Sequence, residues 1–335
     1  MEELNHRDPD PNRLVLPSLN RPSLNRPSPN RRELLGLLGA VGGGVVFAST
    51  LLGRRGALAQ GASGAKAAPS PGTKKEEFWF LQVTDTHWGW QGATVNPESA
   101  TTLKRIVRSI ADAKEKPDFV MFTGDLTHTT DSDDERRKRM GEFKEIIAPL
   151  KGIDVKFIPG EHDASLDKGK AFVENFGVTH GSFDHKGIHF LMLDNVSDPG
   201  AIVGDEQIAW VKSDLAKVDG EMPVVVFAHR PLFDLYPQWD WATKDGSKVV
   251  DALSSHEYVT VFYGHIHQEN HHTTGKIEHH SARSAMFPLP APGSVPKKAP
   301  VAWDAQHPFQ GIGYRKIDPR ASEAGKRVVE LDVPA

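Results

Sequence analysis

The sequence predicts an α/β domain over residues 76–335, on three observations. Short, β-rich apolar runs recur along the chain, and each closes on polar residues or glycine. Stretches with helical spacing of apolar residues alternate with those runs, as strands and helices alternate in α/β folds. No second core and no linker-like segment interrupts the region.

The first run, Phe78–Val83, enters Thr84-Asp85-Thr86-His87. Pro97–Lys114 follows, with Leu103, Ile106, Val107 and Ile110 at helical spacing. Phe119–Phe122 enters Thr123-Gly124-Asp125. Glu135–Leu150 reads as a second helix, and Asp131–Arg139 before and within it sets acids ahead of bases, as a solvated helix start does. Val155–Ile158 enters Pro159-Gly160-Glu161-His162-Asp163. Ile188–Leu193 enters Asp194-Asn195, and its lone His189 reads as structural. Asp205–Val218 is a third helix opening on an Asp capping signal. Val224–Phe227 enters Ala228-His229-Arg230, and Val259–Tyr263 enters Gly264-His265-Ile266-His267. The pairs His271-His272 and His279-His280 fit a solvated hairpin, because adjacent strand residues point to opposite faces. Residues 287–301 hold five prolines and read as an ordered surface loop.

Composition narrows the function classes. Charged residues at 25% and hydrophobic residues at 38% describe a globular chain, neither disordered nor multi-spanning. The net charge of −4 gives no bias toward nucleic acid, and no such partner is expected. Cysteine is absent, which excludes disulfides, thiolate metal sites and thiol catalysis.

Residues 1–59 read as an export signal. A Pro-rich five-residue repeat over Pro17–Arg31 precedes Arg31-Arg32, an uncharged Leu34–Gly53 stretch and Ala57-Leu58-Ala59. The paired arginines resemble a twin-arginine signal, which implies the bacterial twin-arginine export machinery as a partner and a periplasmic destination. Glycines weaken the apolar stretch as a span, so no stable membrane span is expected in the mature chain. Residues 60–75 read as a flexible lead-in and 76–335 as the folded domain.

Five of the six strand-like runs end in residues of metal-ligand type, where α/β proteins place their sites. The pooled set is Asp85, His87, Asp125, Glu161, His162, Asp163, His229, His265 and His267. Carboxylates and imidazoles without thiolates suit Mn, Fe, Zn or Co. One ion needs three or four such ligands, so this inventory fits two ions sharing a carboxylate, the device for phosphoryl-oxygen chemistry.

In order, Asp85-Thr86-His87, Gly124-Asp125, Gly160-Glu161-His162-Asp163, His229 and Gly264-His265-Ile266-His267 resemble the motifs of the calcineurin-like metallophosphoesterase superfamily. The resemblance implies a central β-sandwich flanked by helices (αββα) and a metal-dependent phosphoric ester hydrolase with two divalent or mixed-valence ions. It implies that Asp85, His87 and His267 hold the first ion, that Asp125 bridges, and that Glu161, His229 and His265 hold the second. It implies in-line attack on a small phosphomonoester or phosphodiester by a metal-bound hydroxide. His162 would act as catalytic and substrate-binding residue, oriented by Asp163. Arg230 is expected to aid a phosphate oxygen, and His128 to stand behind the first ion's ligands or at the surface. Trp88, Trp90, Tyr236, Trp239 and Trp241 are candidates for a pocket wall or for packing under a long loop.

Glu161 departs from the family, which usually has Asn there. The change adds a negative charge and a methylene. The alternative reading is therefore a metal- or phosphate-ligand-binding protein with weak or lost catalysis.

Overall fold

In the strands of this protein, alternate residues serve different cores. In β1 (Phe80–Val83), Phe80 points into one apolar cluster, while Leu81 and Val83 point into another. In β6 (Val224–Phe227), Val225 and Phe227 join Phe80, while Val224 and Val226 face away. A strand with both faces apolar is buried on both sides, so each sheet lies between its partner sheet and a helical layer.

The computed structural model describes residues 77–321 and 327–334. The export signal expected at 1–59 and the lead-in at 60–75 lie outside the described residues. Among the described residues no helix is long and apolar enough to cross a membrane.

The first sheet has the order β11 (Val328–Asp332), β10 (Gly313–Ile317), β1, β2 (Phe119–Thr123), β3 (Asp154–Ile158), with β1, β2 and β3 parallel. The second has the order β4 (Gly181–His185), β5 (Ile188–Met192), β6, β7 (Val259–Tyr263), β9 (Ile277–Ser281), β8 (Asn270–Thr274). There β5, β6, β7 and β9 are parallel, and the two edge strands run antiparallel. Between the sheets lies an aromatic core. Phe80 stacks on Phe119 at 4.6 Å and meets Phe190, Phe227 and Phe262 edge-on.

Helices α1 (Ser99–Asp112), α2 (Asp133–Ile147), α3 (Glu161–Ala164) and α4 (Lys170–Phe176) precede β4. Leu103, Ile106 and Val107 of α1, with Met140 and Phe143 of α2, cover the first sheet. Helices α5 (Asp205–Leu215) and α6 (Gly246–Leu253) cover the second through Ile208, Val211, Val249 and Leu253. This is the αββα sandwich.

All six expected strands and three expected helices are present. Asp205 is the first residue of α5 rather than its cap. Gly204 precedes the helix at φ 84°, and the Asp245 carboxylate accepts its N–H at 2.9 Å. The expected hairpin is β8–β9, but it is not solvated throughout, since His279 is fully buried.

Candidate metal centre

Strands β1, β2 and β3 of one sheet and β6 and β7 of the other deliver the site residues just beyond their carboxyl ends. There the backbone leaves the extended region abruptly. Asp85, His87, Asp125, His265 and His267 all have left-handed φ values, from 41° to 66°. Such backbone costs roughly 1 kcal/mol or more per residue that carries a side chain, and it concentrates at functional sites. The turns hold because they bond to one another. Asp85 N–H donates to Gly124 O at 3.0 Å, His87 N–H to Asp125 O at 2.9 Å, and His265 N–H to the Asp85 carboxylate at 3.0 Å.

Two glycines of the motifs are there for space. A Cβ on Gly160 would lie 2.1 Å from Asp125 N and Oδ1, and one on Gly264 would lie 2.0 Å from Thr84 Oγ1. Any side chain there would push the ligand-bearing turns apart.

The resulting cluster has two halves. Asp85, His87 and His267 form one: His87 Nε2 lies 3.1 Å from His267 Nε2, and His267 Nε2 lies 3.3 Å from Asp85 Oδ1. Glu161, His229 and His265 form the other: Glu161 Oε2 lies 2.9 Å from His229 Nε2, and Oε1 lies 2.7 Å from His265 Nδ1. Asp125 Oδ2 stands between, 3.6 Å from His87 Nε2 and 3.4 Å from His229 Nε2.

The donor set fits metal ions by a count of ring protons. His229 Nδ1–H donates to Thr123 O at 2.8 Å, and His267 Nδ1–H donates to Phe287 O at 2.7 Å. In a neutral ring the other nitrogen is then a lone pair, and on both rings that nitrogen faces the cluster. His229 Nε2 and Glu161 Oε2 are buried with no hydrogen-bond partner, although 2.9 Å apart. Two acceptors at that distance need a positive charge between them, a metal ion or, in its absence, a proton on His229 Nε2.

The charges say the same. Burial opposes a charge on His229, but Asp125 and Glu161 outweigh it and hold the imidazole well above its ordinary value. Burial pushes Glu161 up, and His265 and His229 overrule it, leaving the carboxyl well below its usual range. Burial pushes His87 well down, helped by the neighbouring His162 and His267, and it pushes His265 down to about 4.

Asp163 requires a correction. It was expected to orient His162, but its buried carboxylate accepts from the N–H groups of Leu126, Thr127 and Gly160 at 2.8–3.0 Å and from Thr127 Oγ1 at 3.0 Å. It ties the turn after β2 to the turn after β3 and does not touch the His162 ring. Burial and the nearby Asp125 charge raise it to about 6. The residue that orients His162 is Thr129, whose N–H and hydroxyl approach Nδ1 at 3.2 and 2.5 Å. An Nδ1 that accepts leaves the hydrogen of the neutral ring on Nε2, which faces Asp125 Oδ2 at 3.9 Å.

Arg230 is also revised. It is almost fully buried, and its Nε and Nη2 donate to Ala242 O, with Nη2 also on Asp240 O. Nε and Nη2 pin the 240–242 loop, so Nη1 is the nitrogen left to meet a phosphate oxygen. His128 stands behind the first half, with its Nδ1 3.3 Å from His87 Nδ1 and its ring stacked on His162. Trp239 and Trp241 are buried in a loop cluster with Tyr263 and Ile266, so packing accounts for both. Half-buried Trp90 packs on Phe287, whose ring lies on His87 and His267.

Sequence reasoning missed Lys298. It lies in the Pro-rich 287–301 loop, yet its Nζ reaches over Trp241 at 5.6 Å and feels the charges of Glu161, Arg230, Asp240 and Asp125. Burial lowers its pKa, and Glu161 opposes that. Thr129, Asn195 and Phe287 were missed as well. Asn195 accepts from His229 N–H at 3.2 Å and donates to Arg230 O at 2.8 Å. Only its place at the end of a strand-like run could have drawn notice.

Residues 78–269 match the model of the calcineurin-like phosphoesterase family. A probable cyclic nucleotide phosphodiesterase of Rhodococcus erythropolis is 26% identical over 227 residues, covering 64% of this chain and 72% of that protein. A 3',5'-cyclic adenosine monophosphate phosphodiesterase of Pseudomonas aeruginosa is 24% identical over 223 residues, covering 64% of this chain and 78% of its own length. A dimetal phosphatase from Danio rerio shares the fold, with a TM-score of 0.50 at 15% identity, over 76% of this chain and 98% of that one.

Proposed function

The chain belongs to the calcineurin-like phosphoesterase family, and from that premise we propose an exported, dinuclear-metal hydrolase of small phosphodiesters, with cyclic nucleotides as the substrate class. That it is a metal-dependent phosphoric ester hydrolase follows from the family and its named relatives. The observation that carries the two-ion reading is the place of Asp125 Oδ2, within 3.6 Å of a histidine from each ligand group. The phosphodiester reading is supported by the cyclic nucleotide relatives and by Trp90, a half-buried indole beside the centre on which a base can stack. Export is supported by Arg31-Arg32, the uncharged 34–53 stretch and Ala57-Leu58-Ala59. Periplasmic residence is part of the same proposal.

Asp85, His87 and His267 would hold one ion, Glu161, His229 and His265 the other, and Asp125 both. Two such ions supply Lewis-acid charge to the phosphoryl oxygens and a water activated at neutral pH. The protein does the rest. Thr129 fixes the His162 ring so that Nε2–H points at the cluster, where it donates to a phosphate oxygen or to the departing ester oxygen. Lys298 lies within the field of Glu161 and would offset part of the negative charge that Glu161 adds. Asp163 holds the turns in register without meeting the substrate.

The test is hydrolysis of 3',5'-cyclic AMP, bis-p-nitrophenyl phosphate and p-nitrophenyl phosphate by the chain without residues 1–59. Each is assayed with Mn, Zn, Fe or Co, and bound metal is counted. Turnover of the diesters with two ions bound, absent in His265→Ala, is the expected result. Turnover of the monoester alone would replace the substrate class.

A second reading, a binding protein with little catalysis, has one observation in its favour: Glu161 closes on both His229 and His265. Glu161→Asn separates the two. In a binder it raises hydrolysis sharply. In an enzyme adapted to Glu it lowers hydrolysis or shifts the metal preference.

A further inference from the structure

Strands β8 and β9 pair antiparallel, with His271 opposite His280 and His272 opposite His279. Neighbours along a strand face opposite ways, but cross-strand partners share a face. The hairpin therefore builds pairs of histidines that neither strand could build alone. His271 Nδ1 and His280 Nδ1 are 2.6 Å apart. The other nitrogen of each ring is turned to a carboxylate. His271 Nε2 lies 3.1 Å from Glu269 Oε1, and His280 Nε2 lies 3.6 Å from Glu278 Oε2.

An ionised carboxylate only accepts, so a ring nitrogen beside it carries the hydrogen and the opposite nitrogen is a lone pair. With both ring hydrogens turned to the carboxylates, two lone pairs converge at 2.6 Å on a point that a cation can occupy. Without an ion, one ring hydrogen lies between the two Nδ1 atoms, and where it comes from His280 the Nε2 lone pair faces Glu278 at 3.6 Å. A carboxylate behind each imidazole, with the free nitrogens converging, is how proteins orient metal-binding histidines. Two imidazole nitrogens on one tetrahedral zinc-sized ion sit about 3.3 Å apart. The His271 side chain is 50% exposed and free to open by that margin, while His280 at 17% is the anchored partner. Both rings border a cavity of about 870 Å³ that also touches Ile188, Val224 and Val259, the first residues of β5, β6 and β7. The cavity runs from those amino ends along the sheet to the level of His280, which pairs with Phe262 near the carboxyl end of β7.

We propose that His271 and His280, oriented by Glu269 and Glu278, form a separate site for a borderline divalent transition-metal ion such as zinc, copper or nickel, with water completing the coordination. Imidazole donors without thiolate select that class over calcium or magnesium. The ion would clasp the edge strand β8 to β9, only a few residues beyond His267.

The test uses the untagged full chain with Zn²⁺ as probe. Calorimetric titration and metal counting should find one ion more per chain than in His271→Ala or His280→Ala, with ester hydrolysis unchanged in both variants. Glu269→Gln should keep the ion with about 10- to 100-fold weaker affinity. With Cu²⁺, electron paramagnetic resonance should show coupling to two imidazole nitrogens that His271→Ala reduces. Equal stoichiometry in the parent chain and both alanine variants would overturn the proposal. So would a nitrogen NMR spectrum, in excess Zn²⁺, showing a hydrogen shared between the two Nδ1 atoms.

Discussion

The two ligand groups that meet at Asp125 use the same residue types but balance their charge differently. In the first, Asp85, His87 and His267 are all buried, and Phe287 lies on both imidazole rings at 5.2 and 4.5 Å. Burial, with His162 and His267 beside it, keeps the His87 ring neutral, and two imidazole nitrogens face each other at 3.1 Å. In the second, Glu161 is one-quarter exposed and gives one oxygen to each of two histidines. In the absence of metal, Asp125 and Glu161 hold a proton on His229 of the second group, whereas burial keeps His87 of the first neutral. Asp125 and the Glu161 carboxylate, by holding a proton on His229, thus make the second site the one at which protons and metal compete.

The largest effect should come from the residue both groups share. Asp125→Asn removes the charge between them, so both ions should bind weakly. Hydrolysis should fall on the order of 10³-fold or more, the equivalent of several kcal/mol of lost charge stabilisation. His265→Ala touches one group only, so metal counting should find one ion retained. Two ions retained in Asp125→Asn at normal affinity would break the comparison.

His162 belongs to neither group, and its loss should spare the metals. His162→Gln should cost about 10²-fold in kcat for esters with alkyl leaving groups, the usual scale of general acid catalysis. The loss should be much smaller for p-nitrophenyl esters, whose leaving oxygen needs no proton. Equal losses on both would mean that His162 binds phosphate and does not transfer a proton.

The pH response should separate the groups directly. In the metal-free chain His229 is held well above 6.5, so its proton stabilises the fold fully below that value and the contribution is lost as pH rises through the raised pKa. An ion entering the second group must displace this proton. Its affinity should therefore rise by about tenfold per pH unit through neutrality, one proton per ion. His87 lies well below 6.5, so the first ion displaces no proton from His87 and its affinity should depend less on pH. Metal counting after dialysis near pH 6 and near pH 8.5 distinguishes the two, and Glu161→Asn should lower the pH at which the second curve levels off, since Asp125 still holds part of the proton.

How much of this was legible in the sequence depended on the range of the interaction. The strands Phe80–Val83, Phe119–Thr123 and Val224–Phe227 announced themselves because both faces are apolar, and each ligand followed its strand within a few residues. Strands β10 and β11 gave no such signal, because charged Arg315, Lys316, Glu330 and Asp332 interrupt them. The pairing of Arg315 with Glu330 inside the fold exists only once the strands meet. Asp163 misled because it sits beside His162 in sequence, while the first turn of α3 carries its side chain back to the turn after β2. The histidine hairpin was legible in part: the hairpin itself and the spacing within each pair were visible, the register across strands and the burial of His279 were not.

Lys298 is the case where long range matters most, and it sharpens the comparison at its weak end. No motif marks it, and it arrives from a loop without regular structure. Yet its ammonium lies in the field of Glu161, of the second group, and more weakly of the shared Asp125. If Lys298 offsets the carboxylate that the second group added, Lys298→Ala should raise KM for an anionic diester by about three- to tenfold, with kcat little changed. That split marks binding shared by ground and transition states. The effect should shrink at high salt, because the ammonium is only partly shielded from solvent, and in Glu161→Asn, where there is less charge to offset. An equal loss in both Glu161 backgrounds would make Lys298 an independent phosphate contact and detach it from the balance of the second group.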